Sequence, residues 1–193
     1  MSALAVASLR ASRGPATLFR DVSFAVAAGE WVAVRGPNGS GKTTLLRCAA
    51  GLTRADAGEV RREGGLLYAG HLPALKDDLS AEENLRGALA LNGAEASPAG
   101  IRDALAQVGL AARRALPARR LSAGQRRRVG LARLMLDPAG VWILDEPLTA
   151  LDDDGQALFS RTLARHLERG GLALVATHHD LAPAPARVLR IGA

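Results

Sequence analysis

Gly36-Pro37-Asn38-Gly39-Ser40-Gly41-Lys42-Thr43 follows, after Arg35, the apolar run Trp31-Val32-Ala33-Val34 and leads into Thr44-Leu45-Leu46, so the stretch reads as strand, glycine-rich loop and helix. Phosphate oxygens need many N–H donors at short range. The loop must therefore turn with no side chain in the way, which Gly36, Gly39 and Gly41 allow. A helix starting near Lys42 points the positive end of its dipole at the anion, Lys42 adds a point charge for the outer phosphates, and the Thr43 hydroxyl suits Mg²⁺. Gly36 to Thr44 are thus expected to hold ATP or GTP.

A second apolar run, Val141-Trp142-Ile143-Leu144, ends in Asp145-Glu146. Alone, two acids before Pro147 would read as a solvated strand end. With a phosphate loop upstream they divide the work: Asp145 serves the metal together with Thr43, and Glu146 orients or deprotonates the attacking water.

Further runs rich in Val, Ile and Leu at 4–9, 22–26, 66–69, 172–176 and 188–191 read as strands. Helical patterns at 42–50, 82–91, 101–108 and 123–136 separate several of them, and after Asp154 the residues Phe159, Leu163 and Leu167 recur every four positions. This alternation predicts an α/β fold with a mainly parallel sheet. Between about residues 71 and 121 the strand signals stop and turn formers appear at Asn92-Gly93, Ser97-Pro98 and Pro117, which predicts a small helical insert.

The 193 residues suffice for one ordinary domain with a sizeable core. Hydrophobic residues make up 48% but aromatics only 3%, so Leu, Val and Ala must fill the interior and base-stacking platforms for single-stranded nucleic acid are not expected. Only two of the 25 basic residues behind the net charge of +6 are lysines, Lys42 and Lys76. The arginines are scattered, with one triple at Arg126 to Arg128, and read as compositional background. The single cysteine, Cys48, cannot close an intramolecular disulfide, and no paired Cys/His spacing suggests a metal site, which fits a reducing compartment. No run of about 18 apolar residues survives, and Met1 to Arg10 has no signal-peptide pattern. The chain is expected neither to span a membrane nor to be secreted.

Leu121-Ser122-Ala123-Gly124-Gln125 precedes the helical pattern of 126–136, which puts Ser122 and Gly124 at a helix N-terminus whose free N–H groups bind anions. With that segment about twenty residues before Asp145-Glu146, the chain resembles the ATP-binding subunit of ABC transporters. The phosphate loop, Leu121 to Gln125, Val141 to Glu146, Ala150-Leu151-Asp152 and Thr177-His178 stand in the family's order across essentially the whole sequence. The resemblance implies a P-loop NTPase fold, a RecA-like core carrying a helical subdomain of ABC ATPase type. It also implies a single ATP-binding domain over 1–193, with core 1–72 and 121–193 and the subdomain at about 73–120. ATP and Mg²⁺ are the implied ligands. Two copies are expected to pack head to tail as a homodimer on ATP binding, so that Leu121, Ser122, Ala123, Gly124 and Gln125 cap the partner's nucleotide in trans. By the same resemblance Glu146 is the catalytic base, His178 contacts the γ-phosphate, and Asp152 bridges the protomers.

Finer features look like the haem-exporter ATPase of cytochrome c maturation: Leu18-Phe19 with Ser23-Phe24, Gly29-Glu30-Trp31, Tyr68-Ala69-Gly70-His71, Leu75-Lys76, Glu83-Asn84-Leu85 and Leu121 to Arg128. They imply an ATP-hydrolysing subunit of a bacterial haem exporter, peripheral on the cytoplasmic face of the inner membrane and driving transport or release of haem through integral membrane subunits. The rival within the fold is the ATP-binding subunit of a drug, lipid or polysaccharide exporter. A relative acting on nucleic acid would show two cassettes or a long coiled-coil insert, so no nucleic-acid partner is expected.

The sequence departs from the general family pattern at two points. The loop that usually presents a glutamine to the metal shell reads Tyr68-Ala69-Gly70-His71-Leu72, and His71 stands in that place. A neutral imidazole can hydrogen-bond a metal-bound water but is a poor direct ligand for a hard cation. The aromatic that usually stacks on adenine is missing from Arg10 to Arg13, where the Arg13 guanidinium offers the remaining flat surface. Haem itself is not expected to bind, because its iron needs His, Cys, Met or Tyr in an apolar pocket. Cys48 lies in the phosphate-loop helix, His71 and His178 belong to the nucleotide site, His179 adjoins the switch, and His166 is placed on the polar side of the Phe159-Leu163-Leu167 stripe.

Overall fold

A computed structural model describes residues 3–71 and 73–192; the Leu72 end of the 68–72 loop lies outside the described residues. Three apolar runs form strands buried along nearly their whole length: β3 (Trp31–Arg35), β6 (Val141–Asp145) and β7 (Leu172–Ala176). Continuous apolar runs of this kind need cover on both faces, which is the situation of a parallel sheet. They join β5 (Leu66–Ala69) and β8 (Arg187–Arg190) in a five-stranded sheet of order β5-β6-β7-β3-β8, every pair parallel. The α/β expectation holds.

A second sheet is antiparallel, with order β2-β1-β4, built from β1 (Ala3–Arg13), β2 (Ala16–Val26) and β4 (Ala57–Glu63). Leu4, Val6, Leu9 and Ala11 of β1 and Phe19, Phe24 and Val26 of β2 point inward, onto the helix α1 (Lys42–Ala49) and the parallel strands. The alternation slips between Val6 and Leu9, where Ser8 has φ +46° and the pairing register shifts.

The helices are α1, α2 (Ala81–Leu91), α3 (Pro98–Gln107), α4 (Ala123–Leu136) and α5 (Asp153–Glu168). Three of them begin at a serine cap, Ser80, Ser97 and Ser122, and at the first and last of these a Glu or Gln three residues on completes a capping box. Leu85, Leu89, Ile101, Leu105, Val129 and Leu134 of α2, α3 and α4 are buried.

The described residues group into two compact units, one within Met1–His71, Ala139–Pro147 and Leu163–Ala193, the other within Leu72–Pro138 and Leu148–Thr162. The second unit holds α4 and residues 148–162 besides the helical segment read at about 73–120. The reason is local: α4 packs against α2 and α3.

Candidate active site

Four loops leave the parallel sheet at the carboxyl ends of their strands. β3 runs into Gly36, β6 into Glu146, β7 into Thr177-His178 and β5 into Gly70-His71. In open parallel sheets this edge is where ligands bind, because it gathers loops and helix N-termini from several strands.

The phosphate loop takes its shape from two glycines in particular. A Cβ on Gly36 would lie 2.3 Å from the Ile191 carbonyl oxygen and 2.8 Å from Ser40 Oγ, so no larger residue fits there. Gly41, at φ +98°, turns the chain into α1 and would meet the Leu18 and Phe19 side chains if it carried a Cβ. No side chain caps α1, which leaves the N–H groups of its first turn for an anion. The Lys42 ammonium folds over the loop and donates to the carbonyls of Gly36 at 2.8 Å and Pro37 at 3.1 Å. Ser40 Oγ is buried without a partner. This is a loop rich in donors, with a cation already held above it.

Thr43 Oγ1 donates to Asp145 Oδ2 at 2.7 Å, and Asp145 is only 3% exposed. Together they present hard oxygen donors beside the loop. Among the described residues no group of three or more His, Cys, Asp or Glu could cage an ion. Two oxygens of this kind are what Mg²⁺ usually takes from a protein, its shell being completed by waters and substrate phosphates. Tyr68 stands near Asp145; burial first, and then that carboxylate, push its phenol pKa above the ordinary value.

Glu146 adopts φ +50°, a left-handed conformation that costs a non-glycine residue about 1 kcal/mol or more. Its N–H is held by the Ala176 carbonyl at 2.9 Å, and its Oε1 lies 3.4 Å from Nε2 of the half-exposed His178. The sequence-expected base and switch are thus neighbours, although 32 residues separate them in the chain.

The other unit holds the second group of expected residues. Ser122 Oγ accepts from Gln125 N at 3.2 Å and Gln125 Oε1 from Ser122 N at 3.0 Å, which fixes the start of α4. Gly124 passes so close to the Ala150 carbonyl that a Cβ would sit 2.9 Å from that oxygen. Leu121 is buried, Ala123 opens the helix, and Ser122, Gly124, Gln125 and Asp152 line an open cavity of about 300 Å³. Asp152, expected at a protomer boundary, is held within its own chain: Arg128 Nη2 reaches both of its oxygens at 2.7 Å and Gly155 N donates at 3.1 Å. These contacts, the arginine's first, draw its carboxyl below the usual pKa. Arg128 was not among the expected site residues, although it closes both the arginine triple and the stretch Leu121 to Arg128.

Arg13 is exposed at the end of β1, opposite Ala16, and His71 is exposed two residues beyond β5. His166 requires a correction. It does not lie on the polar side of the α5 stripe but stacks on Trp142, with ring centroids 3.7 Å apart and planes within 10°, and its Nε2 lies 3.1 Å from the Leu172 carbonyl. Seven residues from Phe159 is two helical turns, which returns His166 to the buried face. Burial lowers its pKa. Cys48 is buried, which raises its thiol pKa.

Comparison with known proteins agrees with this geometry. Residues 19–149 match the family model described as ABC transporter. A cytochrome c biogenesis ATP-binding export protein CcmA from Methylococcus capsulatus is 47% identical over 190 residues, covering 92% of this chain and 92% of the relative. The CcmA of Escherichia coli O157:H7 is 44% identical over 203 residues, covering 99% and 96%. Among solved structures, an ATP-binding subunit of an ABC transporter superposes with a TM-score of 0.84 at 25% identity, covering 98% of this chain and 88% of the other. The dimeric ATP-binding cassette MJ0796, in a post-hydrolysis state bound to ADP and Pi, gives 0.85 at 22% identity, covering 97% and 94%. With its phosphate loop, acid pair and capped α4 in place, the chain belongs to the ABC transporter family and, within it, to the cytochrome c biogenesis ATP-binding export proteins.

Proposed function

We propose that this ATPase energises the export or release of haem for c-type cytochrome biogenesis, from the cytoplasmic face of the bacterial inner membrane. The observation that supports the chemistry is the convergence of Lys42, the Thr43–Asp145 pair and the Glu146–His178 pair at one edge of a parallel sheet. The cargo follows from similarity to relatives named as cytochrome c biogenesis export proteins. Among the described residues no helix is long and apolar enough to cross a membrane. In this reading the membrane path is supplied by integral partner subunits.

Residues 36–44 hold the ATP phosphates through loop N–H groups, and Lys42 exchanges its two carbonyl partners for the outer phosphates. Thr43 and Asp145 hold Mg²⁺, which when bound neutralises developing charge on the phosphate oxygens. Glu146 accepts a proton from the attacking water, and His178 hydrogen-bonds the γ-phosphate and the carboxylate side of the same space. His71 would hydrogen-bond a metal-bound water, and Arg13 would offer its guanidinium plane to the adenine. In a head-to-tail homodimer the α4 N-terminus, with Ser122 and Gly124, closes the partner's site, and Asp152 meets the partner across that boundary. Haem stays with the membrane partners, since Cys48 is buried and the His166 ring is occupied by Trp142.

Deleting the chain's gene in its own host tests the assignment. Covalent haem should disappear from c-type cytochromes on haem-stained gels, and only copies competent in ATP hydrolysis should restore it. Unchanged cytochromes with altered export of a drug, lipid or polysaccharide would favour the rival exporter reading.

A further inference from the structure

Arg35 ends β3 one residue before the phosphate loop, and its side chain reaches the other functional loop of the same edge. Its Nη2 donates to the His179 carbonyl at 3.3 Å and to Asp180 Oδ1 at 2.5 Å, and these two residues directly follow His178. The loop is also fastened from beneath. Thr177 is fully buried, donates its N–H to the Val34 carbonyl at 3.4 Å and accepts the His179 N–H on its hydroxyl at 3.1 Å. β3 therefore grips residues on both sides of His178, through Val34 and through Arg35, while the His178 imidazole reaches Glu146 at 3.4 Å.

The energetics do not suggest a device for holding the fold together. Asp180 is 95% exposed, and a pair that open to water is screened and adds little to stability. Arg35 is three-quarters covered and its Nε is buried without a partner, which is costly for a cation. What the contact does supply is placement. A side chain on a loop after a strand must be held within about half an ångström to act on a reacting group.

We propose that Arg35 is a positioning residue that anchors the loop 177–180 to the strand of the phosphate loop and so holds His178 toward Glu146. It acts on hydrolysis through His178, without touching the nucleotide. The proposal rests on the roles given above to His178 and Glu146.

The test uses the full chain and the variants Arg35→Leu, Arg35→Lys, His178→Ala and the Arg35→Leu/His178→Ala double. Arg35→Leu should lower kcat about tenfold and leave the KM for ATP within about twofold, Arg35→Lys should recover part of the loss, and Arg35→Leu should cost nothing further once His178 is alanine. Amide hydrogen exchange of 177–181 should quicken at least about tenfold in Arg35→Leu while that of 36–44 stays unchanged. Should Arg35→Leu fold poorly, Asp180→Ala breaks the contact from the exposed side and should quicken the same amides. An equal fall of kcat in both His178 backgrounds, or a rise in KM alone, would overturn the proposal by placing the effect in the phosphate loop. Unchanged exchange at 177–181 would overturn the anchor itself. A His178→Ala enzyme with parental kcat would instead sink the role of His178, and is read separately from the exchange result.

Discussion

Thr43 Oγ1 and Asp145 Oδ2, 102 residues apart in the chain, meet at 2.7 Å between the first turn of α1 and the end of β6. The bond lets a carboxylate sit 3% exposed beside the phosphate loop without leaving its oxygen unpaired. Asp145→Asn keeps the size and the acceptor but removes the charge. Hydrolysis should fall by about 100-fold or more, and the Mg²⁺ needed for half-maximal activity should rise. Titrating Mg²⁺ against ATPase rate, with a chelator control for the wild type, measures both; a parental Mg²⁺ requirement would remove Asp145 from the metal site.

Lys42 carries the only ammonium on this loop, and it is held by two carbonyls instead of a carboxylate. Exchanging weak neutral acceptors for phosphate oxygens is favourable, because a charged pair makes the shorter and stronger bond. Lys42→Ala should therefore abolish measurable turnover and weaken ATP binding by about tenfold or more, as followed by titration with a fluorescent nucleotide. Turnover at the wild-type rate would contradict the assignment of the loop.

Glu146 and His178 face one another, so removing the charge of one should leave the shape of the pair intact. Glu146→Gln should retain ATP binding, slow cleavage by about 10²–10⁴-fold, and accumulate an ATP-dependent dimer detectable by light scattering. Cleavage at the parental rate would show that another group takes the proton.

Much of this edge was legible because its signals are local, a loop pattern and an acid pair after an apolar strand, and the start of α4 in the other unit was legible as a serine three residues before a glutamine. β4 was not legible. Its sequence Ala57-Gly58-Glu59-Val60-Arg61-Arg62-Glu63 has a single half-buried position, so it pairs with β1 through its backbone and shows no apolar period. Arg128–Asp152 and Arg35–Asp180 escaped for a different reason, since nothing in a lone arginine announces a carboxylate 24 or 145 residues away. His166 was readable and misread: positions 159, 163 and 166 share one helical face.

Its placement gives a prediction about pH. Burial holds the His166 pKa below its ordinary 6.5, so the unfolded chain takes up the proton before the folded one does. The stability tied to the neutral ring is complete above about pH 6.5 and falls as the pH drops through that value toward the lower folded pKa. The melting temperature should therefore decline between about pH 7 and pH 5, and His166→Phe, which keeps a ring on Trp142 and cannot titrate, should flatten that slope. Gly171→Ala should lower the melting temperature at every pH, because its Cβ would lie 2.3 Å from the imidazole. A slope that His166→Phe leaves unchanged would assign the titration to another group.

One substitution can separate the helix cap that Ser122 forms from the capping of a partner's nucleotide proposed for it. Its hydroxyl caps α4 in a reciprocal box with Gln125, so Ser122→Ala should cost about 1 kcal/mol of stability whatever else it does. Ser122→Asp keeps a good cap and suits the helix dipole, so the melting temperature should hold. A carboxylate aimed at a partner's γ-phosphate, however, repels it. In the proposed head-to-tail dimer Ser122→Asp should therefore bind ATP on its own loop yet lose hydrolysis, with thermal stability near the parental value. Mixing this variant with Lys42→Ala sharpens the test. One of the two composite sites in the mixed dimer then combines an intact phosphate loop with an intact α4 start, and the other combines both defects. Part of the activity, lost in each variant alone, should return as the two are mixed at increasing concentration. Complete absence of rescue, with both proteins folded and the Ser122→Asp chain still binding ATP, would count against capping in trans and leave Ser122 as a helix cap only.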